Sequence, residues 1–157
     1  MKDIVIERLD ERGVTIESMA ELVFELQKQY LDITMEEAIE NVEAVLMKRE
    51  VQNAILTGIE IDLLAEKGLI REPILTIIQN DKSLYGIDEI LALSITNVYG
   101  SIGFTNFGYL DKIKPGVIGK LDKIGKTTGK VHTFLDDLIS GIVAAACGRV
   151  AHSHGDD

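Results

Sequence analysis

Apolar residues recur every three or four positions through the first half of the chain, the spacing of helices that bury one face. Residues 15–30 place Ile16, Met19, Leu22, Val23 and Leu26 on one stripe, and Thr15 stands where its hydroxyl can cap the first free amides. Thr34 and Glu37 form a Thr-x-x-Glu capping box ahead of Ala38, Val42, Val45 and Leu46. A third segment, residues 50–66, aligns Val51, Ile55, Ile59, Leu63 and Leu64 and stops at Gly68. Pro73, whose fixed φ suits a first helical turn, starts a short helix through Ile74 and Ile78 that ends near Asn80. Strict two-residue alternation is confined to residues 3–7, too little for a sheet. The pattern predicts an all-α fold: a single-domain multi-helix bundle with a buried central helix.

Glycine changes the picture in the second half. It is scarce before Gly86, then frequent at 100, 103, 108, 116, 119, 125 and 129, which predicts a loop-rich stretch able to shape a site. Residues 1–80 therefore read as helical scaffold, 84–150 as the site-bearing part and 152–157 as a polar tail holding His152 and His154. No repeat or long linker divides the 157 residues, a length that suits one well-buried core. The longest apolar runs, 91–104 and 138–147, fall short of the roughly 20 residues that span a bilayer. No transmembrane segment is expected. Cys147 sits alone in an apolar run, which predicts a core residue and fits a reducing, cytoplasmic setting.

Charge narrows the classes of partner. The net charge of −10 disfavours nucleic acid and anionic surfaces, and the absence of Trp with only 5% aromatic residues removes stacking platforms for single strands. Yet six lysines (112, 114, 120, 123, 126 and 130) against Asp111 and Asp122 leave residues 111–130 locally at +4. Such an island can focus a phosphorylated small molecule; the plainer alternative is a solvated lysine-rich loop.

The candidate chemistry lies in two acidic doublets. Asp88-Glu89 and Asp136-Asp137 each interrupt an apolar helical pattern, with Asp88 on the face of Leu91, Ala92, Ile95 and Tyr99, and Asp136 on that of Ile139 and Val143. A buried ionised carboxylate is costly unless paired, hydrogen-bonded or bound to a metal. Two doublets on separate apolar helices predict one shared polar centre, and oxygen-only ligands favour Mg²⁺. The alternative is that each doublet caps a neighbouring helix or pairs with a lysine. His132, one helical turn before Asp136, is placed to face the same centre with an unshifted pKa near ~6.5, as a ligand, an acid-base group or a supporting residue.

Taken in order, Asp88-Glu89, Asp111-x-x-Lys114-Pro115-x-x-Ile118, Asp122 and Asp136-Asp137-x-x-x-Gly141 resemble the phosphatidylglycerophosphatase A family over residues 85–141. The likeness is nearest to the family's branch without membrane spans, the low-temperature-requirement protein C or YutG-like proteins, which the N-terminal helices also resemble. The resemblance implies an all-helical bundle and Mg²⁺-dependent hydrolysis of a phosphate monoester, the family substrate being phosphatidylglycerophosphate. It implies metal ligation by Asp88, Glu89, Asp136 and Asp137, catalytic roles for Asp111, Lys114 and Asp137, and substrate contacts from Lys112, Lys114, Asp122 and His132. The attacking group is then water or one of the carboxylates.

One position departs from the family pattern. Gly108 stands where the family carries an arginine shortly before the Asp-x-x-Lys-Pro element, which leaves the substrate open between the lipid and a soluble phosphoester. The competing reading is a non-catalytic metal- or phosphate-binding regulatory protein that keeps the shape of the site. The apolar content permits a homo-oligomer.

Overall fold

The computed structural model describes residues 1–155. Its described part is all helix, with no strand: α1 (Lys2–Glu11), α2 (Ile16–Gln27), α3 (Met35–Leu46), α4 (Arg49–Glu66), α5 (Ile74–Gln79), α6 (Ile87–Thr96), α7 (Ser101–Ile113), α8 (Gly116–Thr127) and α9 (Leu135–His154). The residues enclose one hydrophobic core, and among them no helix is long and apolar enough to cross a membrane. Both threonine caps form. Thr15 Oγ1 accepts the Ser18 amide at 3.1 Å, and Thr34 Oγ1 accepts the Glu37 amide at 3.1 Å while Glu37 returns a carboxylate to Thr34 N at 2.8 Å.

Helix α9 is the buried centre. Apart from Asp136 and Asp137 in its first turn, its residues from Leu135 to Gly148 are apolar or small, and every residue in that range is buried. A helix apolar all round must be surrounded. Helices α2, α3, α4, α6, α7 and α8 all pack on it. Small residues set how close they come: a Cβ added at Gly141 would lie 2.8 Å from the backbone oxygen of Ala92, so α6 and α9 meet nearly backbone to backbone.

Three expectations need correction, and residues 3–7, where no sheet was expected, are part of a helix. The glycine-rich stretch is not loop but α6, α7 and α8. Gly103 and Gly119 sit inside helices where a Cβ would press on the Thr96 and Lys114 carbonyls, so these glycines mark close packing rather than open chain. Residues 3–7 are helical, because Val5 and Leu9, four apart, supply the face of α1 that is buried where it packs on α4. On α4 the buried stripe runs through Val51, Ile55, Gly58, Ile59, Asp62 and Ala65, leaving Leu63 and Leu64 half-buried. Helix α9 continues through His152 and His154, where a tail was expected. His154 Nε2 lies 3.6 Å from Glu37 Oε1 of α3, and the last two residues of the expected tail fall outside the described part. Cys147 is fully buried, and burial pushes its thiol up to about 12.

Candidate active site

The site is built on the start of α9. Asp62, fully buried on α4, accepts the backbone amides of Phe134 (3.1 Å) and Leu135 (3.0 Å), two of the donors a helix N-terminus leaves free. It thereby caps another helix in trans and fixes where Asp136 and Asp137 leave the backbone. Burial raises the Asp62 pKa, against the two amides that lower it. Thr133 Oγ1 adds a 2.6 Å bond to the Ile78 carbonyl, tying the approach to α9 onto α5.

Lys114 comes in from the side. It ends α7 in the left-handed region, at φ 49° and ψ 56°, an unusual conformation for a non-glycine residue. From that turn its ammonium reaches Asp136 Oδ2 at 2.8 Å and Asp111 Oδ1 at 3.2 Å. Asp136 is spent further within its own turn, where Oδ1 accepts the Asp137 amide at 3.0 Å. Burial works against the charge on Lys114, but Asp136 and then Asp111 prevail and raise its pKa.

The remaining carboxylates are less well served. Burial raises the Asp137 pKa first, and the charges of Asp136, Asp111 and Asp88 add to it, with Lys114 alone opposing. Lys114 puts Asp111 of α7 beside Asp136 at the start of α9, and Asp88 opens α6, which packs on α9 through Ala92 and Gly141. Helices α6 and α7 are joined by a short connection, residues 97–100, and an antiparallel pair brings the start of one to the end of the other. Asp88 is itself buried, its pKa raised chiefly by burial, and its Oδ1 is sealed with no hydrogen-bond partner among the described residues. Lys114 thus pairs with Asp136 and Asp111, while neither Asp137 nor Asp88 has an ion pair among the described residues.

The other sequence-predicted residues divide. Glu89 is exposed beside the αL glycine Gly86, so the first doublet contributes one buried carboxylate, not two; consecutive helical residues point about 100° apart. Lys112 is exposed and makes no ion pair among the described residues. Asp122 is half-buried and bonds Lys126 at 2.7 Å, one turn along α8. Asp122, Lys126, His132 and Asp136 line a cavity of about 190 Å³ together with Asn80, Asp81 and Lys130. His132 lies before α9 rather than on it, and its carbonyl accepts the Asp136 amide at 3.2 Å. Its pKa is not the unshifted one expected: burial, then the neighbouring Arg12 guanidinium, brings it down to about 4.

No three His, Cys, Asp or Glu side chains among the described residues converge on a single metal position. Two observations nonetheless suit a hard cation: a donor set made only of carboxylate oxygens, and the unpartnered Asp88 Oδ1. The expected ligands Asp88, Asp136 and Asp137 fit that chemistry, whereas Glu89 lies out at the surface.

Sequence reasoning missed Asp62, Asp81, Arg12 and Glu66. Asp62 had a readable signal, since it falls on the buried stripe of α4 three residues after Ile59. Asp81 takes a left-handed φ of 45° and sits where its charge raises both Asp88 and Asp136. Arg12 and Glu66 offered no signal, because their partners stand far away in sequence.

These features describe a helical bundle whose central helix begins in an acidic, lysine-bridged centre beside a polar cavity. The chain belongs to the phosphatidylglycerophosphatase A family, whose model matches residues 7–152. It is 58% identical over 146 residues to the uncharacterized protein YutG of Bacillus subtilis, covering 92% of this chain and 87% of that one. It superposes on a protein of unknown function from Bacillus stearothermophilus with a TM-score of 0.93 and 59% identity, covering 98% of this chain and 94% of the other. The low temperature requirement C protein of Listeria monocytogenes gives a TM-score of 0.91 at 54% identity, covering 99% and 97%. Gly108 lies within α7, three residues before Asp111, and a Cβ there would meet nothing within 4 Å. A side chain at this position, where the resemblance leads one to expect an arginine, would start in open space.

Proposed function

We propose that this protein is a Mg²⁺-dependent phosphatase that hydrolyses a phosphate monoester, phosphatidylglycerophosphate or a related soluble phosphoester. The observation that carries the reading is the excess of carboxylates at the start of α9, where Lys114 bridges Asp136 and Asp111 while the buried Asp137 and Asp88 have no ion pair among the described residues. A divalent cation held by Asp88, Asp136 and Asp137 would relieve that excess and supply positive charge to the oxygens of a phosphate. Lys114, fixed on two carboxylates, is positioned to neutralise charge that develops on the phosphoryl group. Asp111, half-buried and open on one side, accepts a proton from the attacking water. Lys126 and Lys130 at the cavity rim hold the anionic substrate, and Asp122 orients Lys126.

The cavity of about 190 Å³ is smaller than the ~300–1,000 Å³ of sites that enclose a whole small molecule. It suits a phosphate group, with the rest of the substrate remaining outside. The test is phosphate release from a panel of lipid and soluble phosphoesters with Mg²⁺, repeated with Asp136→Asn. Release that requires Mg²⁺ and disappears in the variant is the expected result. No release from any ester, with the variant indistinguishable from the parent in Mg²⁺ binding, overturns the reading. Gly108 favours one second reading, since a site without the arginine grips phosphate less well in the transition state. Mg²⁺-dependent phosphate binding without turnover would support a regulatory binding protein instead.

A further inference from the structure

His132 and Arg12 form a second device beside the carboxylates. The Arg12 side chain is almost completely buried, its Nη2 bonding Glu66 Oε1 and the Val131 carbonyl (2.7 Å) and lying 3.3 Å from His132 Nδ1. Glu66 Oε1 also accepts the Val131 amide at 2.8 Å, so the segment entering α9 is pinned from both sides. A guanidinium has only donors and does not lose its charge in proteins. A proton on His132 Nδ1 would set N–H against N–H in a buried place, and an imidazolium would add a second cation to the first. A lone pair on Nδ1 would make this contact a hydrogen bond, with Nη2 sharing its two N–H groups among three acceptors, and would leave the ring proton on Nε2.

His132 lines the cavity and Arg12 does not, so the ring edge away from Arg12 is the one on the cavity side. His132 Cδ2 would lie 3.7 Å from a Cβ placed at Gly125, another cavity residue, so this edge runs along the cavity wall. Nε2 has no protein acceptor among the described residues, and unlike Asp88 Oδ1 it is not sealed from solvent. Lys126 and Lys130 line the same space with Asp81, Asp122 and Asp136.

We infer that Arg12 locks His132 in the tautomer with its proton on Nε2, making His132 a fixed hydrogen-bond donor to a phosphate oxygen in this cavity rather than a proton acceptor. Arg12 is a positioning residue that acts through the ring. The ligand half of the inference rests on reading the cavity as the phosphate pocket; the tautomer half does not. A donor already oriented, on a ring held rigidly, favours an anionic oxygen without reorganisation when the ligand arrives.

The experiment is ¹H–¹⁵N correlation of the histidine rings in the full chain near neutral pH, with His132 assigned by the signals lost in His132→Gln. An unprotonated Nδ1 and a protonated Nε2 are expected, and Nε2 should shift when inorganic phosphate is added with Mg²⁺. In Arg12→Lys, which keeps the charge but not the planar fork, the tautomer preference should weaken. A proton on Nδ1 in the parent protein overturns the assignment whatever the enzyme does. Titration calorimetry with inorganic phosphate gives the second arm. His132→Gln, which keeps an amide donor near the Nε2 position, should bind phosphate within a few-fold of the parent, and His132→Leu about 10- to 100-fold more weakly. Equal binding by the leucine variant, or an Nε2 signal unmoved by phosphate, overturns the ligand half. Absence of turnover with these binding results intact would sink the phosphatase reading alone.

Discussion

Replacing Gly141 by alanine tests the geometry that brings α6 and α9 together. The new methyl would sit 2.8 Å from the Ala92 backbone oxygen, and ordinary contact begins at 3.4 Å, so α6 would have to retreat by about 0.6 Å. A backbone carbonyl has no alternative rotamer, and overpacking of this kind costs about 1–3 kcal/mol. Alanine in a helix interior gains up to ~1 kcal/mol over glycine. The net expectation is a loss of about 1–2 kcal/mol and, at about 2–4 °C per kcal/mol for a chain of this size, a Tm lower by several degrees. Gly108→Ala is the matched control: it is also inside a helix, it meets nothing within 4 Å, and it should stabilise by about 0.5–1 kcal/mol. Urea unfolding of both variants measures the difference through the midpoint at unchanged slope. Because α6 carries Asp88 and α9 carries Asp136 and Asp137, phosphate release by Gly141→Ala should fall by about tenfold at temperatures where the variant is fully folded. If Gly141→Ala stabilises as much as Gly108→Ala, the two helices do not meet as closely as argued, and the placement of Asp88 falls with it.

Three further outcomes follow from the same site. Asp62→Ala leaves the Phe134 and Leu135 amides without their acceptor in a buried place and should cost about 2–4 kcal/mol by urea unfolding, with Asp62→Asn losing less. His132 binds its proton less readily when folded, down to about 4, so the unfolded chain takes up more protons below roughly pH 6.5; the folded state should lose stability as pH falls through that window. Because one edge of the ring opens to a cavity, we expect a loss on the order of 2 kcal/mol, seen as a urea midpoint whose acid-side slope flattens in His132→Gln. Lys114→Met removes the only ammonium between Asp136 and Asp111 and should lower phosphate release by over about 100-fold, while Mg²⁺ should raise the Tm of this variant more than that of the parent.

Much of the fold could be read from local chemistry, because helix caps and three-to-four spacing act within a few residues. Thr15, Thr34 and Glu37 carry their own hydrogen bonds, and the stripes on α2 and α3 are visible without knowing what covers them. The acidic residues of the second half were also legible, since a carboxylate in an apolar helical pattern demands a partner wherever the chain goes. Identity of the partners was not. Asp136 meets Lys114 across 22 positions, Asp62 caps amides 72 and 73 positions away, and Arg12 reaches His132 across 120.

Glycine was the residue most easily misread. By itself it signals conformational freedom, but at Gly103, Gly119 and Gly141 its use here is the missing Cβ, which matters only once a neighbouring backbone is in place. Likewise Asp88 and Glu89 are equivalent as a doublet, and only the packing of α6 against α9 buries one and leaves the other in water. The sequence alone determined that this chain makes amphipathic helices around an apolar one and carries carboxylates in apolar patterns that need partners. Tertiary structure decided which carboxylates share the lysine and which histidine nitrogen meets Arg12, because those contacts join residues whose separation along the chain carries no energy until the helices pack.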